Sequence, residues 1–78
     1  LHRIPPGRST GTLPTYDAPT EKYVIVQQGN LVVHVDGQDH ALGTNDTMHF
    51  QVKTPYSFSN PGRKTCIYYV VRVTMQVI

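Results

Sequence analysis

Seventy-eight residues argue against two separate cores, because a chain this short buries only about 60 to 70% of the surface it exposes when unfolded. Charged residues make up 15% and the net charge is +2, with seven Lys and Arg scattered along the chain, which argues against the basic stripe of a nucleic-acid binder. The single cysteine, Cys66, rules out an internal disulfide and a multi-cysteine zinc site, and no run approaches the ~18 apolar residues of a membrane span.

The first twenty residues hold four of the six prolines, Pro5, Pro6, Pro14 and Pro19. They predict an extended lead-in with at most one short strand, over Leu1 to Ile4. The chain opens on Leu1 with no charged, apolar and small-residue leader, so the expectation is an intracellular piece of a longer protein.

The stretch EKYVIVQQG predicts a strand over 21–28 that Gly29 ends. Alternation sends Lys22, Val24 and Val26 to one face and Tyr23 and Ile25 to the other. Both faces are largely apolar, so burial on both sides is expected.

In NLVVHVDGQDHAL the apolar face is Leu31, Val33 and Val35, and Asp36-Gly37 is a favoured two-residue hairpin turn. Counting outward from the turn sets Val35 opposite Gln38 and His34 opposite Asp39. A cross-strand pair of His34 and Asp39 is the expected use of that histidine.

A second turn, GTND, precedes a strand begun by Met48, His49 and Phe50, and a further one follows Pro55. Asn60-Pro61-Gly62 is read as a turn. A long last strand then places Ile67, Tyr69, Val71 and Val73 on one face and Tyr68 and Val70 on the other. Short strands between Gly, Asn and Pro clusters indicate an all-β sandwich or small barrel.

The residues offer little for catalysis. There is no glycine-rich phosphate loop and no Ser/His/Asp or Cys/His pattern with a recognisable local context. His2, His34, His40 and His49 lack a short ligand spacing. Asp17, Glu21 and Asp46 are the carboxylates that could act as acid or base, and Asp46 reads better as a turn residue.

From residue 21 to 73 the order of strands and turns resembles the cupin family, a jelly-roll or double-stranded β-helix barrel. YVIVQQGNLVVHVDGQDHALGTND looks like the family's strand, Gly turn, strand, Asp-Gly hairpin and second turn, and PYSFSNPG looks like its second motif. The resemblance implies one cupin domain over 1–78, with a lead-in to 20 and a strand extension over 74–78.

In metal-binding members of the family, two histidines and a glutamate precede the position of Gly29, and a last histidine lies four residues before that of Asn60. Those positions fall here among Thr15, Tyr16, Asp17 and Ala18, at Lys22, and at Tyr56. None is a ligand of the family's type, and Lys22 is a cation that would repel a divalent ion. The resemblance therefore implies no metal, no cofactor and no catalytic residue. Lys22, Val24, Val33, Tyr56 and Phe58 become the candidates for the barrel interior, which the aromatic rings are expected to plug.

The run CIYYVVRV and the tyrosine at 56 resemble the C-terminal cupin of the centromere protein C family. The chain departs from that family at Gln51 and Lys53, where it often has Pro and Gly. This resemblance implies a non-enzymatic homodimerisation and protein-docking module in the nucleus, at the kinetochore. Any nucleosome or DNA contact would lie elsewhere in the parent chain.

Tyr23, Ile25, Tyr68, Val70 and Arg72 are the expected interface residues, and Val77 and Ile78 could extend an edge strand into a partner. The same motifs also resemble the cupins attached to helix-turn-helix regulators of the bacterial cytoplasm. That resemblance implies a small-molecule cavity, expected to be lined by Tyr16, Val24, Val33 and Tyr56.

Overall fold

A computed structural model describes residues 1–75. It contains seven strands: β1 (His2–Ile4), β2 (Thr20–Gln28), β3 (Leu31–Val35), β4 (Gln38–Leu42), β5 (Thr47–Gln51), β6 (Ser57–Ser59) and β7 (Cys66–Thr74). They form a four-stranded sheet in the order β1-β7-β2-β5 and a three-stranded sheet in the order β4-β3-β6. The two inner faces enclose one apolar core, the all-β jelly-roll expected from the strand pattern.

The β3–β4 hairpin has the register counted from its turn, with Val35 opposite Gln38 and His34 opposite Asp39. Asp36 and Gly37 both have positive φ, 54° and 71°, the backbone that a twist-matched two-residue hairpin requires. His34 Nδ1 lies 2.6 Å from Asp39 Oδ1, and its Nε2 lies 2.8 Å from Ser59 Oγ on the other side. One histidine thus links all three strands of this sheet.

Within β2, Val24 and Val26 are fully buried and Lys22 is 8% exposed. The other face of β2 does not meet the expectation of burial on both sides. Tyr23 and Ile25 are 37% and 38% exposed, because among the described residues no second layer covers the outside of the four-stranded sheet.

β7 corrects the reading of its two faces. Cys66 is fully buried, Tyr68 is only 3% exposed, and Val70 packs against the core, whereas Tyr69, Val71 and Val73 are exposed. Antiparallel pairing fixes this arrangement. Val24 sits opposite Val70 and Val26 opposite Tyr68, so these share the inner face, while Tyr23 sits opposite Val71 and Ile25 opposite Tyr69.

The lead-in is more tightly bound than an extended arm. β1 pairs with β7, and single bridges join Ser9 to Ser59 and Leu13 to Tyr56. At the other end β7 stops at Thr74, and the Met75 N–H donates to the Pro19 carbonyl at 2.9 Å. The strand extension expected at Val77 and Ile78 lies outside the described residues.

Candidate functional site: a cationic barrel mouth and an apolar outer sheet face

The interior candidates Lys22, Val24, Val33, Tyr56 and Phe58 all turn inward, and none is more than 8% exposed. Phe50, Tyr56, Phe58 and Tyr68 form a chain of ring contacts with centroids 5.5 to 5.6 Å apart between successive neighbours. Edge-to-face and tilted geometries of this kind are the favourable ones. They fill part of the barrel interior.

The rings leave an open space beside them. A cavity of about 320 Å³ lies beside Tyr56 and Phe58, walled also by Leu13, Tyr16, Lys22 and Tyr68. This overturns the expected plug. The ring of Tyr56 fills part of the interior and leaves a mouth next to it. Of the four residues expected to line such a cavity, Tyr16 and Tyr56 do so, while Val24 and Val33 are fully buried in the core.

Two of the family's ligand positions, Lys22 and Tyr56, come together at this mouth, and Tyr16 joins them. The Lys22 ammonium lies 4.9 Å from the Tyr56 ring centroid and 5.3 Å from that of Tyr16. The Arg72 guanidinium lies 5.2 Å from the Tyr16 ring centroid. Arg72, expected at an interface, thus packs on a residue of the mouth.

These groups shift one another's protonation. Hydrogen bonding with Lys22 is the largest influence on Tyr16 and, against some desolvation, lowers its pKa to about 8. Burial raises that of Tyr56. Burial would lower Lys22, but hydrogen bonding with Tyr56 and Tyr16 outweighs it and the lysine is raised. The result is a protonated ammonium flanked by two phenols.

A divalent ion does not fit here. Transition-metal sites need three or four N, O or S donors converging on the ion, and these positions supply a cation and two phenols. Among the described residues, no group of three or more His, Cys, Asp or Glu side chains could hold a metal. The carboxylates considered for acid–base work are dispersed. Asp46 accepts from the Gly43 N–H at 2.8 Å as a turn residue, Glu21 lies 3.4 Å from His49 on the outer sheet face, and Asp17 is exposed.

That outer face is the second candidate. Tyr23, Ile25, Tyr69, Val71 and Val73 are 37 to 49% exposed and lie side by side on β2 and β7. His49 stacks on Tyr23 with centroids 4.5 Å apart. The unbroken apolar run Ile67 to Val71 conceals which half of the β7 side chains faces outward, so the sequence does not single out Tyr69, Val71 and Val73. Tyr68 and Val70, which it does single out, lie on the core side.

The cupin domain family model matches residues 1–72. Among curated proteins, none matches this sequence. Solved structures are similar in fold at low identity. The cupin domain of an XRE family transcriptional regulator from Enterobacter cloacae has a TM-score of 0.82 at 17% identity, over 96% of this chain and 77% of that one. A predicted oxalate decarboxylase from Thermotoga maritima has a TM-score of 0.81 at 20% identity, over 94% and 62%. The cupin domain of Drosophila melanogaster CENP-C has a TM-score of 0.71 at 21% identity, over 91% and 56%. With the family model spanning nearly the whole sequence and both sheets in place, this chain belongs to the cupin family.

Proposed function

We propose that this chain is a non-catalytic cupin module that pairs with a second copy of itself through the outer face of the four-stranded sheet. In this reading it joins two copies of a longer parent protein and presents their shared surface to other proteins. That is the role implied by its resemblance to the centromere protein C family, which would place it at the kinetochore in the nucleus.

The carrying observation is the contiguous patch of Tyr23, Ile25, Tyr69, Val71 and Val73. Large apolar side chains are usually scattered on a monomer, and a contiguous group of them marks an interaction surface. A second copy is the fitting occupant because the patch has an uncharged centre. Glu21 and His49 lie towards one border, and Arg3, on β1, towards the other. Two such faces can stack about a two-fold axis without opposing like charges at the centre.

Sedimentation tests the pairing. The chain should sediment as a dimer at micromolar concentration, and Val71→Asp or Tyr69→Ser should give a folded monomer with an unchanged circular dichroism spectrum. A wild-type monomer, or a dimer indifferent to both substitutions, refutes it. Tyr68→Ser should instead unfold the barrel, since Tyr68 is part of the core.

The open cavity beside Lys22 favours a second reading, in which the barrel senses a small molecule for a helix-turn-helix regulator. A compact helical unit adjoining this domain in the parent chain supports the regulator. A long disordered basic segment supports the kinetochore protein.

A further inference from the structure

We propose that the barrel mouth binds a small carboxylate with an apolar body, its charged end on Lys22 between Tyr16 and Tyr56 and its body against Phe58, Tyr68 and Val70. This deepens the ligand-sensing reading by naming the ligand's chemistry, and it does not depend on self-association.

The first support is a largely buried lysine without a countercharge. Lys22 is 8% exposed, and among the described residues no carboxylate lies within 4.0 Å of Lys22 or Arg72. A buried cation is costly unless it is paired. Tyr16 and Tyr56 moderate that cost through their ring faces. An ammonium has three donors, and the two ring faces leave room for an acceptor on the cavity side.

The second support is the shape and lining of the space. At about 320 Å³ it falls at the small end of the range for ligand sites, roughly 300 to 1,000 Å³. Leu13, Pro14, Phe58, Tyr68 and Val70 make most of its wall apolar, which suits a hydrocarbon body. The cations Lys22 and Arg72 and the phenols Tyr16 and Tyr56 gather at the Tyr16 side. Low-dielectric walls and one sign of charge focus the field on an incoming anion.

A carboxylate is favoured over a phosphate by the donor set. Phosphate sites typically use backbone N–H groups of a glycine-rich loop or a helix N-terminus. This mouth is walled by side chains of strands and of the Pro-containing lead-in. One ammonium and two phenols match one carboxylate.

Tyr16 supplies a signature in pH. Its facing groups are Lys22 from β2, Arg72 from β7 and Tyr56 ahead of β6, with His2 of β1 also lining the cavity. Above about pH 8 the Tyr16 phenol ionises, while Lys22 and Tyr56 keep their protons. The new phenolate then occupies the ammonium and repels the ligand. Carboxylate affinity should therefore fall as pH rises from 7 to 9.

The test is titration of the chain, followed by NMR, with benzoate, phenylacetate and hexanoate, with the three corresponding amides, and with inorganic phosphate. At least one carboxylate should bind with a Kd below about 1 mM, and its amide about tenfold or more weaker. Lys22→Met should lose about tenfold or more in affinity while remaining folded. Tyr16→Phe, at a partly exposed position, should weaken binding and abolish the fall above pH 8.

Failure of all three carboxylates and their amides to bind by about 10 mM overturns both this proposal and the sensing reading. Equal binding of the amides overturns the carboxylate assignment but supports a sensing cavity. Phosphate binding as tightly as the carboxylates shows an adventitious ion only and overturns it as well. Should Lys22→Met fail to fold, a Tyr16→Phe variant with wild-type affinity and pH profile overturns the proposal by itself.

Discussion

Asn60 ties three segments together with one amide. Its Nδ2 donates to the Ile4 carbonyl at 2.9 Å and to the Lys64 carbonyl at 2.7 Å, and its Oδ1 accepts from the Gly62 N–H at 2.9 Å. The side chain is 1% exposed, so water cannot replace those bonds. The sequence marks Asn60 only as a turn residue; nothing in the local sequence reveals that Ile4, fifty-six residues away, needs a donor. Asn60→Asp keeps the shape but points a carboxylate at two carbonyls. It should cost about 2 to 4 kcal/mol and lower Tm by about 10 °C or more, as thermal unfolding will show. A loss of a degree or two would mean that the site rearranges.

At the scale of the element, the β3–β4 hairpin was fully legible and β7 was not. Asp36-Gly37 sets the hairpin register, and the alternation of Leu31, Val33 and Val35 with partly polar neighbours sets its facing. In β7 the run Ile67 to Val71 is apolar or aromatic at every position, so a period of two carries no sign, and only pairing with β2 decides which half is inside. The aromatic interior was legible from Tyr56 and Phe58, but the mouth beside it depends on where Tyr16 and Val70 come to rest. Gly29 shows a similar long-range constraint at a turn. Its φ is +88°, and an added Cβ would lie 3.2 Å from the Thr65 carbonyl oxygen and 3.3 Å from the Cys66 Cα, both backbone atoms of the segment entering β7. Gly37 has a similar φ of +71° with nothing within 4 Å. Gly29→Ala should therefore cost more than Gly37→Ala, the first about 2 to 3 kcal/mol and the second about 1. Urea unfolding of both variants separates crowding from backbone strain, and equal losses would refute the crowding.

Across the whole molecule, the two proposed surfaces are opposite sides of one sheet. Alternate residues of β2 and β7 send Tyr23, Ile25, Tyr69 and Val71 outward and Lys22, Tyr68, Val70 and Arg72 towards the mouth. The inward set also makes stability depend on alkali. Burial raises the Cys66 thiol, and burial pushes Tyr68 up to about 12, so the folded chain holds protons that the unfolded chain releases near its ordinary values of 9.0 and 10.0. Tyr56 is raised by burial in the same sense, and the raised Lys22 adds a loss above its ordinary value of 10.5. An unfolded state that binds fewer protons gains with rising pH. Tyr16 acts oppositely: its lowered pKa of about 8 adds stability between about pH 8 and its ordinary 10.0, but that phenol is partly exposed and solvent screens its contribution. Stability should thus change little from pH 7 to 8.5 and fall from pH 9 to 11. Tyr68→Phe should flatten the fall above pH 10, and Cys66→Ala its onset near pH 9. Denaturant unfolding across that range measures both, and a fall of the same steepness in the two variants would place the alkaline sensitivity outside the core.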